Sequence, residues 1–231
     1  DFLREHGSRF RWCINLDVIG DAAASRRNLD ALHAVGLRPV PGFQRGGSAD
    51  ELRRMVQEHG PLVCIGGVSK TPNAHAEHDY MVQCLRIVRD AGGEAHLLGV
   101  SGAAQLRALL PTAADSSSWN NAARYGNLHL WYGGKWWRYC KRSKQQARRG
   151  VRPAPNRTRG LAAYGLTWAD LGEAKSWYGT GRTAVANIRG WMRFTHHILK
   201  GNVRLHMAIH SSYQGMDAAL VAWEQEKHAW T

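Results

Sequence analysis

PLVCIGGVSKTPNAHAEHDYMVQCLRIVRDAGGEAHLLGV, residues 61–100, is the stretch whose reading decides the fold. The near-continuous apolar run 62–66 (LVCIG) predicts a strand covered on both faces. Residues 76–91 place Met81, Leu85 and Val88 on one stripe of a helix that ends at Gly92 and Gly93. The run 94–100 (EAHLLGV) then returns as a strand. Two strands joined through a helix make a parallel pair with a right-handed crossover.

The same unit recurs on either side. Upstream, 11–19 (RWCINLDVI) reads as a strand and 22–35 as a helix with Leu29, Leu32 and Val35 on one side, closed by Gly36 as a left-handed cap. Residues 38–43 form the next strand. Its helix opens at Ser48, with Glu51 at capping-box spacing, and stops after His59 at Gly60. Downstream, 103–110 reads as a short helix and 112–116 as a brief strand. Strands alternating with helices in this way predict an α/β fold with a parallel sheet.

The strand ends choose between an open doubly wound sheet and a barrel. Asp17, Gln44 with Gly46 and Gly47, Gly66 with Gly67, Gly99 with Ser101, and Asp115 fall at five successive strand ends. An open sheet would spread five such ends over about 20 Å, beyond the reach of one small ligand. A barrel gathers them at one mouth. No GxGxxG opens a helix, so the dinucleotide-binding alternative lacks its fingerprint. The expected fold is therefore a TIM barrel, (β/α)8. Five units are visible of the eight, so about three N-terminal units are expected from a missing barrel segment or a partner subunit.

Charge divides the chain. It carries 31 Lys and Arg against 18 Asp and Glu, a net +13. Between Asp115 and Asp170 there are 11 basic residues and no acid, which leaves the remainder nearly balanced. Nine of the ten tryptophans also follow Asp115. The expected organisation is 1–126 as barrel, 127–160 as a basic aromatic nucleic-acid-binding segment, and 161–231 as a mainly helical extension. Its helices are placed at 168–178, 184–200 and 216–227, and Pro153 and Pro155 predict an extended loop. Lys135, Trp136, Trp137, Arg138, Lys141, Arg142, Lys144, Arg148 and Arg149 are the candidate contacts: cations for phosphates, aromatic rings for bases. Trp136 and Trp137 could equally be core residues, whereas the tryptophans from 168 onward read as core rather than stacking platforms. No apolar run is long enough for a membrane span. Four scattered cysteines without a CxxC pair fit a reducing cytoplasm rather than a disulfide scaffold. Neither His75 with His78 nor His196, His197, His206 and His210 completes a metal-ligand set.

Read in order, INLDVIG (14–20), PGFQRGG (41–47), CIGGVS (64–69), HLLGVS (96–101) and ADSSSW (114–119) resemble the tRNA-guanine transglycosylase superfamily. The similarity is greatest to the phage and bacterial subgroup that places 7-deazaguanines into DNA, and it covers about residues 8–126. The resemblance implies that Asp115 is the nucleophile attacking C1′ of the target nucleoside, leaving a covalent glycosyl-enzyme. It implies that Asp17 holds the guanine-like edge and Gln44 the base carbonyl. Gly67 would offer backbone polar groups and Leu98 an apolar floor, with Gly66 and Gly99 counted among the base-binding residues as well. It further implies DNA as the favoured partner, a 7-deazaguanine base as co-substrate, and the cytoplasm of a bacterial or phage-infected cell as the setting.

The chemistry suits these residue types. A carboxylate can trap the oxocarbenium-like state formed as a purine glycosidic bond breaks. Guanine's N1–H and 2-amino donors need an ionised acceptor, and its O6 needs a donor such as the Gln44 amide. The family's CxCxxC…His zinc site is absent, so neither metal nor cofactor is expected, and the reading moves from tRNA towards DNA. The competing readings are a transglycosylase acting on tRNA and a non-catalytic nucleic-acid-binding protein on a barrel scaffold. For Asp17 and Asp115 the plain alternative is a strand-end cap.

Overall fold

The computed structural model describes residues 2–67, 74–116, 127–173, 181–199, 203–207 and 213–229. The chain divides into two units: Asp1–Ser116 with Asn202–His206, and Ser117–Gly201 with Met207–Thr231.

The first unit is a parallel α/β sheet. After a short helix α1 (Phe2–His6) come α2 (Ala22–Ala34), β1 (Gly42–Phe43), α3 (Ala49–His59), β2 (Leu62–Ile65), α4 (Ala74–Asp90), β3 (Glu94–Leu97), α5 (Ala103–Leu109) and β4 (Ala113–Ser116). Gly42 pairs with Cys64, Cys64 with His96, and His96 with Ala113, all parallel. The cap predicted at α3 is present, with Ser48 Oγ accepting from Glu51 N–H at 3.1 Å. Gly36 ends α2 with φ +82°.

Alternation sorts the strands into two faces. Phe43, Val63, Ile65, Ala95, Leu97 and Ala114 point one way and are buried. The helix residues Leu52, Met55, Met81, Leu85 and Leu106 supply the rest of this core. α3 lies beside α4 and α4 beside α5. With strands following one another in chain order, right-handed crossovers place these helices on one face. Gly42, Cys64, His96 and Ala113 belong to the opposite face.

Three expectations are corrected here. Residues 11–19 form no full strand: Ile14 makes a single parallel bridge to Val40. The reason lies at Asn15, whose Oδ1 accepts from Gly42 N–H at 2.6 Å while its Nδ2 donates to Ser25 O at 3.2 Å. A side chain replaces the ladder, and Leu16, Val18 and Ile19 turn out to solvent. On α2, Leu29 is buried but Val35 is exposed. Most consequential is β7 (Arg204–Met207), inside the span expected to be helical, which joins the sheet at the β4 edge. Arg204 N–H donates to Thr112 O at 3.1 Å, and its guanidinium pairs with Glu94 at 3.4 Å. The sheet order is β1-β2-β3-β4-β7.

The second unit opens with an antiparallel hairpin, β5 (Leu128–Tyr132) and β6 (Lys135–Tyr139), that the basic-segment reading passes over. Gly133 and Gly134 at φ +60° and +77° make its two-residue turn. Helices α6 (Lys141–Arg148), α7 (Pro155–Ala162), α8 (Trp168–Glu173), α9 (Gly181–Phe194) and α10 (Tyr213–Glu226) follow. Pro155 begins α7, so the extended loop expected around it is confined to the residues before. Leu128, Leu130, Tyr139, Leu161, Tyr164 and Leu171 form the core of this unit. Glu226 of α10, 5 % exposed, accepts from Arg189 Nε at 2.6 Å and Arg193 Nε at 3.0 Å, tying α10 to α9. Residues 174–178 and the part of the ADSSSW stretch at 117–119 lie outside the described residues. No described helix is long and apolar enough to cross a membrane.

Candidate active site

The sheet face of the first unit opposite α3, α4 and α5 gathers the predicted residues. Carrying the register two residues past Gly42, Cys64, His96 and Ala113 gives Gln44, Gly66, Leu98 and Asp115 in one row. The ladder persists that far: Gly66 N–H donates to Phe43 O at 2.8 Å and Leu98 N–H to Ile65 O at 2.9 Å. Parallel pairing therefore aims all four side-chain positions the same way, at the carboxyl ends where parallel sheets bind ligands.

Asp17 reaches this row from the loop after Ile14. The loop is braced by Ser25, whose Oγ accepts from Val18 N–H at 2.8 Å, and by Asn28 Nδ2 donating to Leu16 O at 2.9 Å. Gln44 Nε2 donates to Asp17 Oδ2 at 2.7 Å. The two residues that the resemblance assigns to separate edges of a base are thus bonded to each other. Gln44 is buried, and its Oε1 has no hydrogen-bond partner among the described residues.

Gly66 lies against this amide. A Cβ there would sit 2.1 Å from Gln44 Nε2, so glycine is what lets the side chain cross. Tyr80 of α4 donates its hydroxyl to Gly66 O at 3.1 Å and lies under the Arg45 guanidinium, 4.7 Å from the ring centre. Leu98 is half-buried on the same face, as a floor residue requires.

Asp115, half-buried, accepts on Oδ1 from Gly99 N–H at 3.1 Å. Gly99 has φ +74°, a conformation that aims this N–H at the carboxylate and that other L-residues rarely adopt. His96 Nε2 is also 3.1 Å from Oδ1. Cys64 lies between the two carboxylates electrostatically: burial pushes its thiol up to about 12, with Asp115 and then Asp17 adding to the effect.

His96, Cys64, Trp12 and His206 escape the sequence reading. His96 is 1 % exposed, with the Trp12 and His206 rings each 5.5 Å away. Period-two spacing back from Leu98 could have found His96, and likewise Cys64 back from Gly66. Nothing local marks His206, because the short strand that carries it was read as part of a helical region. Burial and the nearby His96 hold the His206 imidazole below its ordinary value. Among the described residues no three His, Cys, Asp or Glu side chains converge as a metal site.

The predicted nucleic-acid contacts separate into two kinds. Arg138, Lys141, Arg142 and Arg149 are exposed, with no carboxylate at ion-pair distance among the described residues. Lys135 is exposed too, its ammonium 4.5 Å above the Trp137 ring. Lys144 is half-buried, which together with Arg148 lowers its pKa. Arg148 itself is exposed but donates to Gly172 O at 2.7 Å. The tryptophans are used inward: Trp136 packs on Trp131, Trp191 and Phe194, and Trp137 Nε1 donates to Tyr132 O at 3.1 Å.

The first unit is thus defined as a parallel α/β unit wound in chain order, with two carboxylates, an amide and a buried imidazole at its strand ends. No protein-family model, curated protein or solved structure matches the chain.

Proposed function

We propose that the protein exchanges guanine in DNA for a 7-deazaguanine base through a covalent Asp115–glycosyl intermediate. The observation that carries this reading is the single row of Gln44, Gly66, Leu98 and Asp115, with Asp17 bonded to Gln44. One carboxylate meets the sugar carbon. The other, with its amide partner, meets the hydrogen-bonding edge of a purine lying on Leu98. The N–H and 2-amino donors of guanine match the Asp17 carboxylate. Asp115, fixed by Gly99, has the restricted orientation a nucleophile needs.

In the first half-reaction a lone pair of the Asp115 carboxylate forms a bond to C1′ as the C1′–N9 bond breaks. The electron pair leaves with guanine, which takes a proton from water. The incoming deazaguanine loses its N9 proton to water and displaces the carboxylate, restoring Asp115. The exposed cations of the second unit supply contacts for phosphates, which help offset the cost of extruding a base from a duplex, roughly a few kcal/mol.

The scaffold proposed for this chemistry is a (β/α)8 barrel. Its support is the strand order, which follows the chain without reversal from the Ile14 bridge through β1, β2, β3 and β4 to β7.

Incubation with duplex DNA and a labelled 7-deazaguanine base tests the proposal. Incorporation and a denaturant-stable protein–DNA adduct are expected from the wild type, and neither from Asp115→Asn. Incorporation into tRNA alone transfers the reading to the RNA substrate. Salt-sensitive DNA binding that survives Asp115→Asn, without exchange in any arm, leaves only a binding protein.

A further inference from the structure

Among the described residues, only one oxygen of the candidate nucleophile is engaged. Oδ1 of Asp115 receives Gly99 N–H and faces His96 Nε2, both at 3.1 Å, and no described residue bonds Oδ2. We propose that His96 is a positioning residue: with Gly99 it pins Oδ1, so that Oδ2 is the oxygen that bonds C1′. The proposal rests on the transglycosylase reading and names the residue that orients its nucleophile.

A carboxylate only accepts hydrogen bonds, so the ring must carry its proton on Nε2. Nδ1 has no partner among the described residues. The contact therefore requires the ring form that carries a proton on Nε2.

The imidazole is held from three directions. Its backbone pairs with Cys64 on one side and Ala113 on the other, two residues before the row that holds Asp115. The Trp12 ring meets it edge-on at 5.5 Å, and the His206 ring lies tilted at 5.5 Å. Trp12 and His206 also touch one another at 5.8 Å. A side chain with 1 % exposure and two ring neighbours has little freedom to turn away.

Pinning Oδ1 matters in both half-reactions. When Oδ2 bonds to C1′, Oδ1 becomes the carbonyl oxygen of the glycosyl ester and keeps the same two donors. When the incoming base displaces the ester, Oδ2 leaves with the bonding pair and the carboxylate returns to the same two donors. Donors already in place need no reorganisation in either direction. An apolar residue at position 96 would leave the carboxylate to rotate about its Cβ–Cγ bond, with Gly99 alone to hold it.

The test compares His96→Leu, which removes the donor, with His96→Gln, whose Nε2 can reach a similar point. Expected for His96→Leu is a fall in kcat of roughly 10- to 100-fold with KM for the base changed by no more than about twofold. His96→Gln recovers most of the loss. Unchanged kcat in His96→Leu, or a rise in KM alone, overturns the proposal. A second measurement needs no variant. Nitrogen-15 NMR of the histidine rings, with His96 assigned through its contacts to the Trp12 indole, reads the tautomer in the wild type. A proton on Nε2 supports the proposal, and one on Nδ1 alone overturns it. Wild-type protein that forms no adduct defeats the transglycosylase reading instead, while the tautomer still reports on the His96–Asp115 contact.

Discussion

Adding one methyl group at Gly66 probes the site geometry apart from any assumption about substrate. An ideal Cβ at that position lies 2.1 Å from Gln44 Nε2, 2.9 Å from Cδ and 3.1 Å from Oε1. The backbone at Gly66 is not in the left-handed region, so alanine is acceptable to the chain itself and the whole effect comes from the collision. Gln44 is 1 % exposed, and the amide group that must shift is the one that donates to Asp17, so relief of the collision is at the expense of that bond. Losing a hydrogen bond to a charged partner costs about 1.5–3 kcal/mol, and overpacking strain adds about 1–3 kcal/mol. Gly66→Ala should therefore lower the unfolding free energy by roughly 3–5 kcal/mol, allowing for partial relaxation. In a Gln44→Ala background the obstacle is gone, and the same substitution should cost less than about 0.5 kcal/mol. Urea unfolding of the four proteins gives the coupling energy, expected to be about 2.5–5 kcal/mol. Additivity within about 0.5 kcal/mol would refute the contact between Gly66 and Gln44.

Four other outcomes are expected. Glu226→Gln removes the charge that two guanidiniums share while 5 % exposed, and should destabilise the second unit by about 3–5 kcal/mol in urea unfolding. Replacing Arg138, Lys141, Arg142 and Arg149 singly by Ala should weaken DNA binding and reduce the salt slope by about one per lost phosphate contact, read by fluorescence anisotropy. Arg157→Ala should destabilise instead, because that side chain bonds Arg138 O and Ser143 Oγ and stacks on Tyr139. Burial lowers the pKa of His59, His129 and His206, so the unfolded chain binds more protons just below its histidine value of 6.5. Stability should thus be fully present above pH 6.5 and fall as the pH drops through the lowered folded values. Urea midpoints at pH 7.5 and 5.5 should show this, and His129→Gln should flatten the profile.

Much of the first unit was legible because local chemistry and tertiary structure agree there. α3 begins at its Ser48 cap and ends at Gly60, as the sequence predicts, since cap, amphipathic stripe and glycine stop all act within the helix itself. The strand at 11–19 misled for the opposite reason. Its alternating apolar residues are local evidence, whereas Asn15 ends the ladder through partners at Ser25 and Gly42 that no local window contains. The hairpin could have been read, because two aromatic-rich runs flank Gly133 and Gly134. The cations interspersed in those runs mask the strand pattern. Trp136 and Trp137 show the same bias: tryptophans beside cations look like stacking platforms until packing partners and a bonded indole N–H appear.

β7 carries the larger lesson for the site. Arg204–Met207 is four residues long, polar at alternate positions and more than eighty residues beyond β4, so no sequence pattern ties the two. Yet this strand brings His206 against His96, and His96 against the oxygen of Asp115. The strand-end residues that a motif reading collects are those placed by their own βα unit. The residues that restrain them arrive from the neighbouring strand or from a distant one, and they are buried rather than displayed at the strand ends. A nucleophile can therefore be legible while the group that fixes its orientation is not. Moving β7 is a test of that dependence. Arg204→Glu turns the ion pair with Glu94 into a repulsion while leaving every strand-end residue in place. If His206 matters only as packing for His96, the variant should lower exchange through kcat, and His96→Leu should gain little further loss when added to it. Full additivity of the two losses would mean that β7 acts on the site by some route other than His96.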